Sequence, residues 1–140
     1  MIPLRLVIDT NVIVSAAIRP DSLQRSVLLL ALKKPARLFV SSAILAEYRT
    51  VLARPKLRIR KGARRQLLAL IAGRSHDVQP SKSLQVASDA DDNRFLECAD
   101  EARADYLITG NLRHFPKYWK STKIVSPREF IELIGPHLVE

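Results

Sequence analysis

The chain is poor in the residues that build disulfide-linked or phosphate-cradling proteins. It has one cysteine, Cys98, so no disulfide can form within it, and a reducing cytoplasm is the expected location. It has four glycines, and none belongs to a GxGxxG or GxxxxGKS/T loop, which excludes the common nucleotide-binding motifs. The apolar start of the chain carries Arg5, Asp9 and Asn11, so we predict neither a signal peptide nor a membrane span there.

Acidic residues are scarce relative to basic ones. The 14 aspartates and glutamates face 23 lysines and arginines, which gives a formal charge of +9. Such an excess favours polyanionic partners, either nucleic acid or an acidic protein. The 140 residues, 47% of them hydrophobic, are enough for one core, and we predict a single domain over residues 1–140.

Short apolar segments alternate with segments of helical periodicity. The candidate strands are residues 4–8, 37–41, 105–109 and 123–126, with a weak edge strand at 77–80. The candidate helices are residues 21–33, 42–53, 62–73, 91–103 and 127–134. Strands that are apolar throughout and alternate with helices predict an α/β fold, in which helices cover both faces of a parallel sheet.

Several carboxylate and amide side chains fall at one edge of this predicted sheet. Asp9 follows the first strand, and Asn111 follows the strand at 105–109. Ligands of α/β sheets bind beyond the carboxyl ends of the strands, so these residues are expected to face a site. Glu47 falls on the apolar stripe of its helix and leans towards the core, unless it pairs with an arginine at the rim.

Three aspartates, Asp89, Asp91 and Asp92, precede the helix at 91–103. One of them is expected to cap the helix, and helical spacing leaves open whether Asp91 or Asp92 faces the same edge as Asp9. Carboxylates gathered without a cation repel one another. Oxygen ligands without histidine or cysteine are typical of Mg²⁺ or Mn²⁺ sites.

Four motifs, taken in order, resemble those of PIN domains: VIDTNVIVSAAI, SSAILAEYRTVL, DADDNRFLECADEARADYLITGNLRHFP and IVSPREFIELI. They are similar in particular to the small prokaryotic VapC-like toxins of toxin–antitoxin pairs. The resemblance implies a three-layer sandwich with a parallel sheet of about five strands. It also implies a metal-dependent ribonuclease with an RNA substrate, a cognate antitoxin protein and a homodimeric state.

The resemblance also assigns roles to individual residues. The acids Asp9, Glu47 and Asp92 match the catalytic metal ligands, and Asn111 matches the position that completes them. The residues that would support this set are Asn11, Thr109 and Asp91. Many relatives carry a further aspartate where this chain has His114, which leaves open whether one or two ions bind. His114 itself is expected to be an exposed loop residue.

The segment RPKLRIRKGARR, residues 54–65, is the densest run of positive charge. We predict that it holds the phosphate backbone of RNA, without reading bases, through Arg58, Arg60, Lys61, Arg64 and Arg65. The alternative is a solvated connection between two helices. Tyr118 and Trp119 are expected in a loop that packs over the end of the sheet rather than stacking on bases.

Two other functions compete with the nuclease. A catalytically decayed PIN module would bind RNA or a protein partner without cutting, and the replacement of an acid by His114 favours it. A phosphotransferase would use Asp9 as nucleophile. Such sites usually contain a second aspartate two residues later, where this chain has Asn11.

Overall fold

A mixed six-stranded sheet forms the centre of the fold, and the computed structural model describes residues 3–87 and 89–137. Its strands are β1 (Arg5–Ile8), β2 (Arg37–Val40), β3 (His76–Asp77), β4 (Tyr106–Ile108), β5 (Tyr118–Trp119) and β6 (Thr122–Val125). They lie in the order β3-β2-β1-β4-β6-β5. Every neighbouring pair is parallel except β5 and β6. The predicted α/β fold with a parallel sheet of about five strands is therefore confirmed.

Six α-helices accompany these strands in the described part of the chain, five of them between strands and the last after β6. They are α1 (Thr10–Ile18), α2 (Leu23–Ala31), α3 (Ser42–Leu52), α4 (Lys61–Arg74), α5 (Asn93–Ala102) and α6 (Pro127–Ile134). The side chains of Ser22, Ser41 and Ser126 accept hydrogen bonds from the first turns of α2, α3 and α6, which fixes where these helices begin. None of the helices within the described ranges is both long and apolar enough to cross a membrane.

Helices cover both faces of the sheet. Successive side chains of a strand point to opposite faces, and Leu6, Val7 and Ile8 of the central strand β1 are all fully buried. Helix α5 packs on β1, β2 and β4, whereas α6 packs on β4 and β6. This arrangement is the predicted three-layer sandwich, and it leaves the carboxyl ends of β1 and β4 at one edge.

Helix α1 is not predicted by the sequence pattern. Its β-branched residues Val12, Ile13 and Val14 have low helix propensity and read as a continuation of β1. The helix forms because the Asp9 side chain accepts a hydrogen bond from the backbone N–H of Thr10, and because one apolar side of it is buried. The chain thus turns from strand to helix directly at Asp9.

The prediction of a loop at Tyr118 and Trp119 is wrong. These residues form β5, which pairs antiparallel with β6 through Tyr118 opposite Lys123 and Trp119 opposite Thr122. The pairing becomes possible because Lys120 adopts a left-handed backbone conformation in the tight turn between the two strands. The weak edge strand expected at 77–80 is shorter and earlier, at His76–Asp77.

Candidate functional site

An open cavity of about 520 Å³ lies at the carboxyl ends of β1 and β4. We call it the acidic cavity, after the acids that line it: Asp9, Glu47, Asp89, Asp91 and Asp92. The remaining polar lining includes Thr10, Asn11, Asn111 and His114. Side chains from four distant segments of the chain therefore meet in one place, as the sheet topology requires.

Asp9 is the most rigidly held of these acids. It is 5% exposed. Its Oδ1 accepts a hydrogen bond from the Thr10 N–H at 2.7 Å, and its Oδ2 accepts one from the Thr109 hydroxyl at 2.7 Å. Its own N–H donates to the carbonyl of Ile108 at 2.9 Å, which ties the end of β1 to β4. The carboxylate therefore has a single defined orientation.

The acids raise one another's pKa values. Burial raises the pKa of Asp9 from 3.8 to about 6, and the charge of Asp92 adds to the effect, against the hydrogen bond from Thr109. Burial is also the main reason why the pKa values of Glu47 and Asp92 are raised, and neighbouring acids add to it in both cases. A cation placed among these side chains would relieve this repulsion.

Helix α3 brings Glu47 to the cavity. Glu47 is partly buried, and its carboxylate accepts a hydrogen bond from the hydroxyl of Thr10. The next residue, Tyr48, is fully buried and donates a hydrogen bond to the carbonyl of Ile8 at the end of β1. These two bonds fix α3 against the start of α1 and the end of β1, on either side of Asp9. The sequence analysis missed the role of Thr10, although its position beside Asp9 was a signal.

The segment before α5 distributes its three aspartates between two tasks. The side chain of Asp89 accepts a hydrogen bond from the Asp91 N–H at 3.0 Å and so caps a 3-10 turn, Ala90–Asp92. Asp92 makes no capping bond, and its Oδ2 lies 3.2 Å from Nδ1 of His114. Both Asp91 and Asp92 line the cavity, as does Asp89, which the sequence analysis had not assigned to it. His114 is exposed, as expected, but it contacts a site acid.

The loop after β4 is fastened to the start of α1. The Gly110 N–H donates to Oδ1 of Asn11 at 3.0 Å, and a Cβ at Gly110 would lie 3.4 Å from the same oxygen. The Asn111 N–H donates to the Thr109 hydroxyl oxygen at 2.9 Å, while that hydroxyl donates to Asp9. Asn11 and Thr109 thus brace the backbone and the carboxylate, and Asn111 projects from the same turn.

The basic segment begins at the cavity and leads away from it. Arg54 and Lys56, which flank the start of a 3-10 turn at Pro55–Leu57, line the acidic cavity. The residues predicted to hold RNA lie outside its lining, in the connection to α4 and its first two turns: Arg58, Arg60, Lys61, Arg64 and Arg65. The predicted RNA-binding set left out Arg54 and Lys56, the two cations that reach the cavity.

The donor set suits a hard divalent cation in charge and atom type. Among the residues that the structure describes, no lysine or arginine forms an ion pair with Asp9, Glu47 or Asp92. Over the same residues, no three His, Cys, Asp or Glu side chains are arranged to hold a metal ion as they stand. The oxygen donors and the unrelieved negative charge nevertheless fit Mg²⁺ or Mn²⁺.

Comparisons with known proteins agree with this architecture. The sequence matches the profile of the PIN domain over residues 5–113. It is 34% identical over 143 residues to the uncharacterized protein MJ1680 of Methanocaldococcus jannaschii, an alignment that covers 94% of this chain and 92% of that protein. The fold is similar to a chain in the crystal structure of VapBC2 from Rickettsia felis bound to a DNA fragment from their promoter. The TM-score is 0.57 at 17% identity, with 88% of this chain and 98% of that chain covered.

Proposed function

The chain belongs to the PIN domain family, and from this premise we propose that it is a Mg²⁺- or Mn²⁺-dependent endoribonuclease that hydrolyses RNA phosphodiester bonds. One observation carries the proposal. Asp9, Glu47 and Asp92 come from separate segments and share one cavity, and no lysine or arginine in the described ranges neutralises them. At neutral pH, negative charge gathered at such a cost in solvation favours a cationic partner.

Each residue of the site has a proposed task. Asp9, Glu47 and Asp92 would hold the ion, and Asn111 would complete the set. When bound, such an ion activates water and offsets negative charge on a phosphoryl group. The Thr109 hydroxyl orients Asp9, and the Thr10 hydroxyl orients Glu47, so the acids are positioned before substrate arrives.

The basic residues are proposed to bind the RNA backbone. Arg54 and Lys56 stand at the cavity wall, where they can meet phosphates next to the cleaved bond. The cations from Arg58 to Arg65 continue this surface into α4. Contacts to phosphate position RNA without selecting its sequence.

We further propose that this nuclease is the toxin of a toxin–antitoxin pair. The likeness to VapC-like proteins in motifs and in fold supports the role. It brings with it a cytoplasmic location, a homodimeric state, a single domain over residues 1–140 and an acidic or neutral antitoxin that covers the basic surface. A short neighbouring reading frame that encodes a DNA-binding protein would support the assignment.

The purified protein is expected to cleave RNA in the presence of Mn²⁺ or Mg²⁺ and to stop in EDTA, because the proposed reaction needs an ion held by Asp9, Glu47 and Asp92. The measurement is the degradation of a labelled RNA over time, with readdition of Mn²⁺ after EDTA as the control. Cleavage that continues at the same rate in EDTA would contradict the metal-dependent mechanism.

A decayed binding module is the second candidate function. The contact between His114 and Asp92 favours it, because an imidazole then takes the place of a metal at one of the acids. Such a module would bind RNA equally well with and without divalent ions and would release no heat on titration with Mn²⁺. The nuclease would show both Mn²⁺ binding and cleavage, so the two candidates give opposite results.

Reversing two charges at the start of α4, Arg60→Glu with Arg64→Glu, is expected to weaken RNA binding by about tenfold or more at low salt. The dependence of affinity on salt should also become shallower, because fewer counterions are released. The fold should tolerate the change, since acids at a helix N-terminus suit the helix dipole. Fluorescence anisotropy at several salt concentrations would measure both effects.

The matched control changes the same charge at the other end of the sheet. Lys33→Glu with Lys34→Glu alters two exposed lysines that precede β2, so it tests whether net charge alone explains the loss. Equal loss in the two double variants, or unchanged affinity of the α4 variant at low salt, would contradict the predicted RNA-binding arm.

A further inference from the structure

A second groove, of about 490 Å³, adjoins the acidic cavity. We call it the edge groove, because it follows the outermost strand β5 and its neighbour β6; Leu112, Phe115, Pro116 and Tyr118 form its apolar part. A 3-10 turn, Leu112–His114, separates it from the acidic cavity. His114 lines the acidic cavity, whereas Leu112 and Arg113 line the edge groove, so the turn is a wall that both share.

The edge groove combines exposed apolar surface with positively charged side chains. The side chain of Tyr118 is 60% exposed and that of Leu112 is 41% exposed. Arg113, Lys117 and Lys123 also line the groove, and none of them has an ion-pair partner in the part of the chain that the structure describes.

The acid of the edge groove is already engaged. Glu129 lies in the first turn of α6, and its Oε1 accepts the Ser126 N–H at 3.0 Å as part of a capping box. Three cations and one acid line the groove, so its net charge is positive, which matches an anionic ligand with a flat apolar face.

Strand pairing fixes the backbone that carries Tyr118. It stands opposite Lys123 in the β5–β6 pair, and the Ile124 N–H donates to the carbonyl of Lys117 at 3.0 Å. The next residue, Trp119, points to the other face of the strand pair and lines a different cavity. Of the two aromatic rings that line the edge groove, Phe115 is buried, and Tyr118 is the one exposed to a ligand.

We propose that the edge groove binds one base of single-stranded RNA, stacked on Tyr118, with Arg113, Lys117 and Lys123 on the adjoining phosphates. The proposal rests on the ribonuclease function and specifies its substrate as an unpaired strand. A strand with a phosphate in the acidic cavity has to leave over one of the cavity walls. The turn Leu112–His114 is the wall that leads to an exposed aromatic ring flanked by cations. A base in a duplex is already stacked and cannot reach the ring.

The test measures binding without cleavage. In the Asp9→Asn background, the labelled RNA should stay intact, and fluorescence anisotropy gives the affinity for a short single strand and for the same sequence as a duplex. Tyr118→Ala is expected to weaken single-strand binding by about tenfold, while Tyr118→Phe, which keeps the ring, stays within about twofold of the background. Duplex binding should be equal in all of them.

The neighbouring aromatic residue supplies the matched control. Trp119→Phe changes a ring on the other face and should leave single-strand affinity unchanged. The proposal is overturned if Tyr118→Ala binds the single strand as well as the background does, as expected if the edge groove instead receives a protein partner. Equal loss for single strand and duplex overturns it as well, and so does an absence of single-strand binding. Metal-dependent cleavage by the unmodified protein decides the proposed function separately from all these outcomes.

Discussion

Replacing Asp9 by asparagine is expected to lower the rate of metal-dependent RNA cleavage by about a thousandfold. Asp9 is the best-positioned anionic ligand for an ion, and its loss would remove several kcal/mol of stabilisation of the transition state. Each 1.36 kcal/mol corresponds to a tenfold change in rate. The exchange is nearly isosteric. The amide oxygen can still accept the Thr10 N–H, and the Thr109 hydroxyl oxygen, which already accepts the Asn111 N–H, has a second lone pair for the new amide group.

Cleavage of labelled RNA by equal amounts of folded protein, at several Mn²⁺ concentrations, measures this loss. Glu132→Gln is the matched control, because it also converts an acid to its amide but lies exposed on α6. It should cleave like the parent. An Asp9→Asn protein whose rate stays within tenfold of the parent would remove Asp9 from the mechanism and with it the proposed site.

The same exchange should stabilise the metal-free protein at neutral pH. Burial raises the pKa of Asp9 to about 6, so between about pH 3.8 and 6 the folded protein holds a proton that the unfolded chain has released, and above about pH 6 the folded protein carries a buried charge. The stabilisation from this proton is fully present below about 3.8 and is lost as the pH rises through about 6. A pKa raised by about two units corresponds to roughly 3 kcal/mol, the upper size of the effect.

Urea unfolding in EDTA between pH 4.5 and 7.5 would measure this effect as the difference between parent and Asp9→Asn. The parent should lose free energy of unfolding relative to the variant as the pH rises through the window. Asp100, whose pKa is lowered mainly by its hydrogen bond with Lys120 from an ordinary value of 3.8, loses its stabilising effect only below this window. Parallel pH profiles would show that burial of Asp9 costs nothing.

Adding Mn²⁺ at pH 7.5 completes the test. An ion that binds only the folded protein stabilises it by about 2.7 kcal/mol at a hundredfold excess over its Kd. The parent should gain this stability and the variant should not. If Mn²⁺ stabilises both proteins, the ion binds away from Asp9. If it stabilises neither, the result favours the decayed binding module.

Much of the fold can be predicted from the sequence, because the patterns that specify its helices and strands are local. Serine caps at Ser22, Ser41 and Ser126 and the apolar strand segments depend on neighbouring residues alone. Helix α1 could not be predicted from local signals, because the β-branched run from Val12 indicates a strand. The helix depends on burial of its apolar side and on the Asp9 cap. Strand β5 could not be predicted from local signals either, because its two residues form a strand only by pairing with β6.

The candidate site likewise has residues that local patterns predict and contacts that they do not. Asp9 and Glu47 could be selected from their places on a strand end and a helix stripe. The hydrogen bond from Thr10 to Glu47 spans 37 residues, and the contact of His114 with Asp92 spans 22, so no local pattern contains them. The assignment of Asp89 to the cap of a 3-10 turn, rather than to the helix itself, likewise needed the backbone geometry.

Both edge strands of the sheet are short, and this limits how copies of the protein can associate. The outermost strands, β3 and β5, are two residues long, and the exposed pair His76 and Asp77 places polar side chains on one of them. A short polar border offers few free backbone groups to an incoming strand, so growth of the sheet from one molecule into the next is disfavoured. Two copies that pair in solution are therefore expected to meet through their helices, and such a pair closes instead of extending into a fibre.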